Sequence, residues 1–330
     1  MKKLICVMLT VFLCLSLFTG CGAKADDGII NVAIVQQLDH SSLDEIRFAI
    51  QAELDKIAAE KGVQVEYKHF NGQNDTSILA QIGTQVVADG YDVIIPIATL
   101  AAQYSVTAAE GKNIPIIYAA VSDPEGAGLT GMANVTGVSD ALNTPFILDM
   151  MFAADSDIGC VGLLYSLSEP NSEMPIAEAK AYLDAKGIPY IEKTGNTADE
   201  VITAATALVG RCDAVFTPTD NAIMNVAPSV AEIFAEAGIA HYTGADSFVQ
   251  AGSFVTCGVN YTELGTYAAA MAMDIVLGGA VPEFHVMEGG IITYNTETAT
   301  KLGIDCNIFH SMANTVVAYM PLGTASVQGE

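Results

Sequence analysis

The sequence predicts an α/β protein made of two Rossmann-like lobes, each built on a parallel sheet, with a ligand cleft between them. Three observations carry this. Short apolar strand patterns alternate with amphipathic helical patterns along the chain, which is how βαβ units read. The alternation is written twice, with four strand motifs recurring in the same order. Apolar runs also end abruptly in polar loops, as in Phe216-Thr217-Pro218-Thr219-Asp220-Asn221. In open α/β sheets the ligand side is the one at the strand C-terminal ends.

The first twenty residues stand outside this pattern. Lys2 and Lys3 precede an apolar stretch, Leu4 to Phe18, followed at once by Thr19-Gly20-Cys21. The stretch is shorter than the ~20 residues of a membrane span, so residues 1–20 are expected to be an export signal. Small residues directly before a cysteine resemble a bacterial lipobox, with Phe18 at the position usually held by Leu. Cys21 is therefore the expected lipidation site, an ordinary secretory signal being the alternative; residues 21–28 read as a tether. From Cys21 onward there are 310 residues, with 11 basic and 38 acidic side chains and a net charge of −27. That length supports two domains with real cores. The charge repels nucleic acid and anionic membrane surfaces, so no nucleic-acid partner is expected. Cys160, Cys212, Cys257 and Cys306 are scattered without metal or redox spacing and read as buried thiols.

The strand motifs pair off in order. Val32–Val35 matches Val161–Leu164, and Lys61–Lys68 matches Lys186–Lys193, each followed by an Asn-containing turn. Asp92–Ile95 then matches Asp213–Phe216, and Asn113–Tyr118 matches Gly238–Tyr242. Helical spacing of apolar residues predicts helices over 43–61, 76–90, 174–185, 200–210 and 222–238. The last third departs from the repeat: a helical pattern over 261–277, a strand-like 290–294 and a short helix at 296–302. These are expected to cross between lobes. The first lobe is assigned 29–143 plus about 261–280, the second 144–260 plus about 281–318 and the hinge crossover.

The loops that follow the predicted strands contain no Lys or Arg, but they do contain Asp39, Asp75, Asp123, Glu125, Glu169, Asp199, Asp220 and Asp246. A strongly anionic ligand would normally be met by basic side chains, so a ligand with a cationic group is expected. One carboxylate can still sit on a helix N-terminus, and Thr99–Ala101 offers one. A zwitterion fits both ends, its ammonium on Asp220, Asp246 or Asp123. Helix or turn capping stays open as the role of Thr99, Asp123, Asp220 and Asp246. There is no nucleotide, nucleophile-elbow or zinc-helix motif. The five histidines have no metal spacing, with His40 the single possible cation of the loops. No catalytic residue, cofactor or metal is expected.

Several strings resemble one family, the solute-binding lipoproteins of ABC importers in the tryptophan/tyrosine branch. They are Val35–His40 with Leu43-Asp44, Ile97–Gln103, Ala120–Pro124 with Gly126–Leu129, and Asn134–Asp140. Gly162–Tyr165 with Glu169–Ser172, Pro218–Asn221 and Tyr261–Gly265 complete the set. The resemblance implies a type I periplasmic-binding-protein fold that closes over an amino acid, aromatic or large apolar, and delivers it to a permease and its ATPase. It implies an extracytoplasmic, lipid-anchored chain; a monomer is expected. It places Thr99, Ser122, Asp123, Tyr165, Asn171, Thr219, Asp220, Asn221 and Asp246 at the site, to which Gln37, His40 and Ala101 are added from the loops. Asp220 is the expected partner of the ligand ammonium and Thr99–Ala101 of its carboxylate. The chain departs from the family at Thr99-Leu100, where Thr-Pro is usual, and at Ala245-Asp246-Ser247. The alternative function is a lipid-anchored sensor or receptor for a nucleoside, a sugar or a cationic molecule.

Overall fold

The structure, a computed structural model, describes residues 28–321. The export signal, Cys21 and the tether up to Asp27 lie outside the described residues. The first half runs β1 (Ile29–Gln36), α1 (Ser41–Lys61), β2 (Gln64–Asn71), α2 (Thr76–Asp89), β3 (Val93–Ile97), α3 (Thr99–Ala108), β4 (Ile116–Ala119) and β5 (Val135–Ser139). The second runs α4 (Thr144–Ala154), β6 (Val161–Tyr165), α5 (Glu173–Lys186), β7 (Tyr190–Thr194), α6 (Ala198–Thr206), β8 (Ala214–Thr217), α7 (Asn221–Met224), α8 (Ala227–Glu236), β9 (Ala240–Thr243), α9 (Asp246–Gln250) and β10 (Val255–Gly258). A closing stretch holds α10 (Tyr261–Val276), β11 (His285–Val286), β12 (Ile291–Asn295), α11 (Thr296–Leu302) and β13 (Thr315–Tyr319).

Two sheets result. The first has the order β11-β5-β4-β3-β1-β2, with every pair parallel. The second has the order β13-β12-β10-β9-β8-β6-β7, parallel except where β12 meets β10. Helices cover both faces of a parallel sheet, so a central strand such as β3, Val-Ile-Ile-Pro-Ile, is buried along its whole length. The edge strand β2 alternates exposed and half-buried residues instead. In each sheet the strand order reverses between the first and third strands, β1 and β3 or β6 and β8. Connections leave these neighbours in opposite directions and open a crevice at their C-terminal ends. The two crevices face each other.

Local chemistry sets the helix limits. Asp75 caps α2 by accepting the Ser77 and Ile78 N–H groups, and Gly62 ends α1 in the left-handed conformation at φ 66°. The helix expected over 222–238 is two helices, α7 and α8, with Val226 between them in a non-helical conformation. Pro228 is the cause: it supplies no N–H for the Met224 carbonyl four residues back, so a continuous helix breaks and Pro228 sits in the first turn of a new one.

The closing stretch ties the lobes together. α10 lies along α1, where Leu264, Ala268 and Ala272 share an apolar core with Ile46, Ile50 and Leu54. Gly265 permits the approach, since a Cβ there would stand 2.5 Å from the Ile46 carbonyl oxygen. The sequence assigned 281–318 to the second lobe, and this needs correction at β11: His285–Val286 pairs with β5 and extends the first sheet. A two-residue strand gives no sequence signal of its own. The chain therefore passes between lobes three times, after β5, after β10 and after β11. Cys212, Cys257 and Cys306 are buried free thiols and Cys160 is half-buried and free. His241, inside the second lobe, bonds Thr217 Oγ1 at 2.8 Å and Ser253 Oγ at 3.0 Å, and burial lowers its pKa to about 3.

Candidate ligand-binding cleft

The cleft is built from loops that leave β1, β3, β4 and β5 on one side and β6, β8 and β9 on the other. Gln37, directly after β1, is fully buried. Its Oε1 accepts the Leu100 N–H at the start of α3 (3.2 Å), and its Nε2 donates to Asn74 Oδ1 (2.8 Å) and Glu169 Oε1 (3.0 Å). Glu169 belongs to the second lobe, so this one side chain spans the cleft. Three more bonds do the same: His40 Nε2 with Asn221 Oδ1 (3.2 Å), Ser42 Oγ to Asp246 Oδ1 (3.1 Å), and the Ser122 and Thr219 hydroxyls (3.2 Å). Ser122 spends its single proton on Asp140 Oδ1 (2.9 Å), so Thr219 is the donor in that pair. The lobes are closed on each other.

Acid dominates the electrostatics. Glu169 is 1% exposed and is held by Gln37 and by Asn221 Nδ2 (2.9 Å), with no lysine or arginine among its partners. Burial, and then the charge of Asp220, push its pKa up to about 8. Asp220 is also fully buried, and burial raises its pKa, opposed by hydrogen bonds. Its Oδ2 accepts the Ser166 N–H and the Ser172 hydroxyl, both at 2.7 Å, and its Oδ1 accepts the Ile223 N–H at 3.0 Å. Two such carboxylates resist ionising together. Asp220, with short bonds from backbone and hydroxyl, is the better supported as an anion, so Glu169 is the one of the pair pushed toward its protonated form. Asp140 is raised to about 6 by burial.

Between the lobes lies a cavity of about 30 Å³, room for roughly two waters. An amino acid enters only when the lobes part or side chains swing. Three polar atoms on its wall are buried without a partner: Thr99 Oγ1, Asn171 Oδ1 and His40 Nδ1. Such orphans cost ~1–3 kcal/mol each, and a bound ligand is the natural remedy. Strained backbone sits beside them: Ala98 at φ 76° and Ala120 at φ 57°, both on the wall and each directly after a strand of the first lobe. The apolar part of the wall comes from Leu43, Met224, Ala245, Phe248 and Tyr261.

Of the residues expected at the site, His40, Thr99, Ser122, Asn171, Thr219, Asp220 and Asn221 line this cavity. Gln37 and Asp246 serve as links between the lobes and do not line it. Three residues lie elsewhere. The Ala101 side chain is in the first-lobe core, because only its backbone belongs to the helix start. Asp123 accepts the Gly126 N–H (2.9 Å) and shapes a turn. Tyr165 is the last residue of β6, and strand alternation points it to Glu192 Oε2 (2.8 Å). Sequence reasoning did not select Leu43, Asp140, Glu169, Met224, Phe248 or Tyr261. Met224 and Leu43 carry the signal: Met224 lies three residues beyond Asn221 on the same short helix, and Leu43 three beyond His40, in the first turn of α1.

A two-lobed α/β chain whose facing strand ends close over a small cavity, polar at one part and apolar at another, is a ligand-binding protein of the type I periplasmic fold. The family of ABC transporter substrate binding proteins matches residues 31–313, and the chain belongs to that family. It is a solute-binding family and not an enzyme family, and it works outside the cytoplasm. The chain is 29% identical over 302 residues to the tyrosine-binding protein of Clostridioides difficile (strain R20291), covering 86% of this chain and 87% of the relative. It is 30% identical to an ABC domain from Streptococcus pneumonia solved in complex with L-Trp, with a TM-score of 0.80 and coverage of 87% and 99%. A Clostridium difficile substrate binding protein with adhesive properties, in its ligand-free, open structure, gives 28% identity, a TM-score of 0.66 and coverage of 88% and 99%. The better superposition on the complex agrees with the four bonds that join the lobes here. Among the described residues no helix is long and apolar enough to cross a membrane.

Proposed function

We propose that this ABC substrate-binding protein takes up an aromatic or large apolar L-amino acid. The observation that carries the reading is the pairing of orphaned polar atoms with opposite roles. Thr99 Oγ1, at the N-terminal end of α3 with its positive dipole, suits an α-carboxylate. Asn171 Oδ1, an acceptor backed by the negative charge of Asp220, suits an α-ammonium. Leu43, Met224, Phe248 and the Tyr261 ring supply the apolar surface for a side chain. The printed ligands of the two relatives, tyrosine and L-Trp, support the same class.

In this reading the lobes turn about the three crossings. Residues 29–143 with α10 and β11 form one body, and the second sheet with its helices forms the other. Closure is a population shift, drawn by contacts made only in the closed state. The closed form is passed to a permease and its ATPase. Cys21 carries a lipid that holds the chain, as a monomer, at the outer face of the membrane.

A thermal-shift screen of the chain from Lys24, with all twenty L-amino acids, nucleosides and polyamines, tests the ligand. At 100 times its dissociation constant a true ligand adds ~2.7 kcal/mol of stability. Aromatic amino acids are expected to raise the melting point; a shift from nucleosides or polyamines alone overturns the reading. Cys21→Ser is expected to move the exported protein from the membrane fraction to the soluble one.

A further inference from the structure

One buried carboxylate on the cavity wall is given no role by the amino-acid reading above. Asp140 follows β5 and is 5% exposed. The Ser122 hydroxyl donates to it at 2.9 Å, and its own backbone N–H and the Tyr261 hydroxyl also favour its charged form. A carboxylate accepts up to about four donors, and no lysine, arginine or histidine is among its partners. Burying a charge on such terms is expensive unless something completes its shell.

Position says what that something is. Along the first sheet Thr99 follows β3, Ser122 follows β4 and Asp140 follows β5. Neighbouring strands lie ~4.8 Å apart, so Asp140 stands roughly 10 Å from the Thr99 end. That is about the length of an aromatic amino acid from carboxylate to ring edge. With the carboxylate at Thr99 and the ammonium at Asn171, the ligand's side chain runs toward Asp140, and the Tyr261 ring stands on the wall beside it.

We propose that Asp140 reads the ligand's side chain, accepting a phenol O–H or an indole N–H, so that tyrosine or tryptophan binds and phenylalanine is rejected. The proposal rests on the amino-acid reading above. A site built to accept a hydrogen bond discriminates strongly against an analogue without the donor, because the buried acceptor is then left unpaired.

Calorimetric titration of the wild-type chain with L-Tyr, L-Trp and L-Phe is the first arm. At least one of Tyr and Trp is expected to bind ten-fold or more tighter than Phe. Equal affinity for Phe overturns the role of Asp140 and leaves the amino-acid reading standing; no binding of any of the three, with a different ligand found in the screen, sinks both. The second arm is Asp140→Leu, with Asp140→Asn as the shape-conserving variant and melting of each unliganded protein as the fold control. Asp140→Leu is expected to weaken Tyr and Trp and spare Phe, bringing the ratio within three-fold. Equal weakening of all three would show that Asp140 serves the main-chain groups or the fold, and the proposal falls.

Discussion

The loop after β3 and the loop after β8 are counterparts in the internal repeat, and both reach the cleft. The first holds Ala98 at a positive φ and leaves the Thr99 hydroxyl without a partner. The second has Asp220 at φ −86°, with its carboxylate bound by Ser166, Ser172 and Ile223. One lobe stores strain and leaves a donor open; the other uses its polar side chain to hold a short helix and the loop after β6. The same motif in sequence leaves an unpaired hydroxyl on the cavity wall on one side and is chiefly a scaffold on the other.

The largest expected effect follows from that contrast. Asp220→Ala strips three buried donors of their acceptor and is expected to destabilise the unliganded protein by about 3–5 kcal/mol, read by denaturant titration. Unchanged stability would return Asp220 to the role of a pure ligand contact. Thr99→Val sharpens the other side: binding is expected to weaken about ten-fold, ~1.4 kcal/mol, while the unliganded melting point stays put. A fall in melting point with intact binding would reverse the comparison.

The smallest effect concerns pH. Glu169 has its pKa raised in the closed protein from an ordinary 4.5 to about 8. The folded, closed state therefore binds the proton more tightly. Its contribution to stability is fully present below pH 4.5 and is lost as pH rises toward 8. His241, lowered to about 3, acts in the opposite sense, costing stability as pH falls below 6.5. Glu169→Gln isolates the first term: its melting point should change less than that of wild type between pH 5 and 8. Parallel curves for the two proteins would show that Glu169 does not carry a proton there.

Much of the fold was legible because a parallel strand, a polar loop and a helix start each leave a mark of their own. The repeat is plain over four strands per half and fainter at the fifth, β5 and β10. Yet Val135-Thr136-Gly137 and Val255-Thr256-Cys257-Gly258 begin alike. Asp140 follows β5, so its place on the cleft side depends on recognising that strand. Asp123 and Tyr165 were misplaced for a different reason: being near a strand end fixes where a residue is, while turn hydrogen bonding and strand alternation decide where its side chain goes. Glu169 is one of the loop acids, but nothing in the sequence says that a glutamate is buried without a cation until Gln37 and Asn221 are seen to hold it.

The packing of α10 on α1 has a consequence for the order of synthesis. Ile46, Ile50 and Leu54 wait for a partner that begins at Tyr261, so roughly two hundred residues separate the two sides of one core. At roughly 5–20 residues per second of elongation, that is an interval on the order of 10–40 s. A nascent or exporting chain shows this greasy face to whatever chaperone is near, and the lobe that starts the chain is sealed only when its far end arrives.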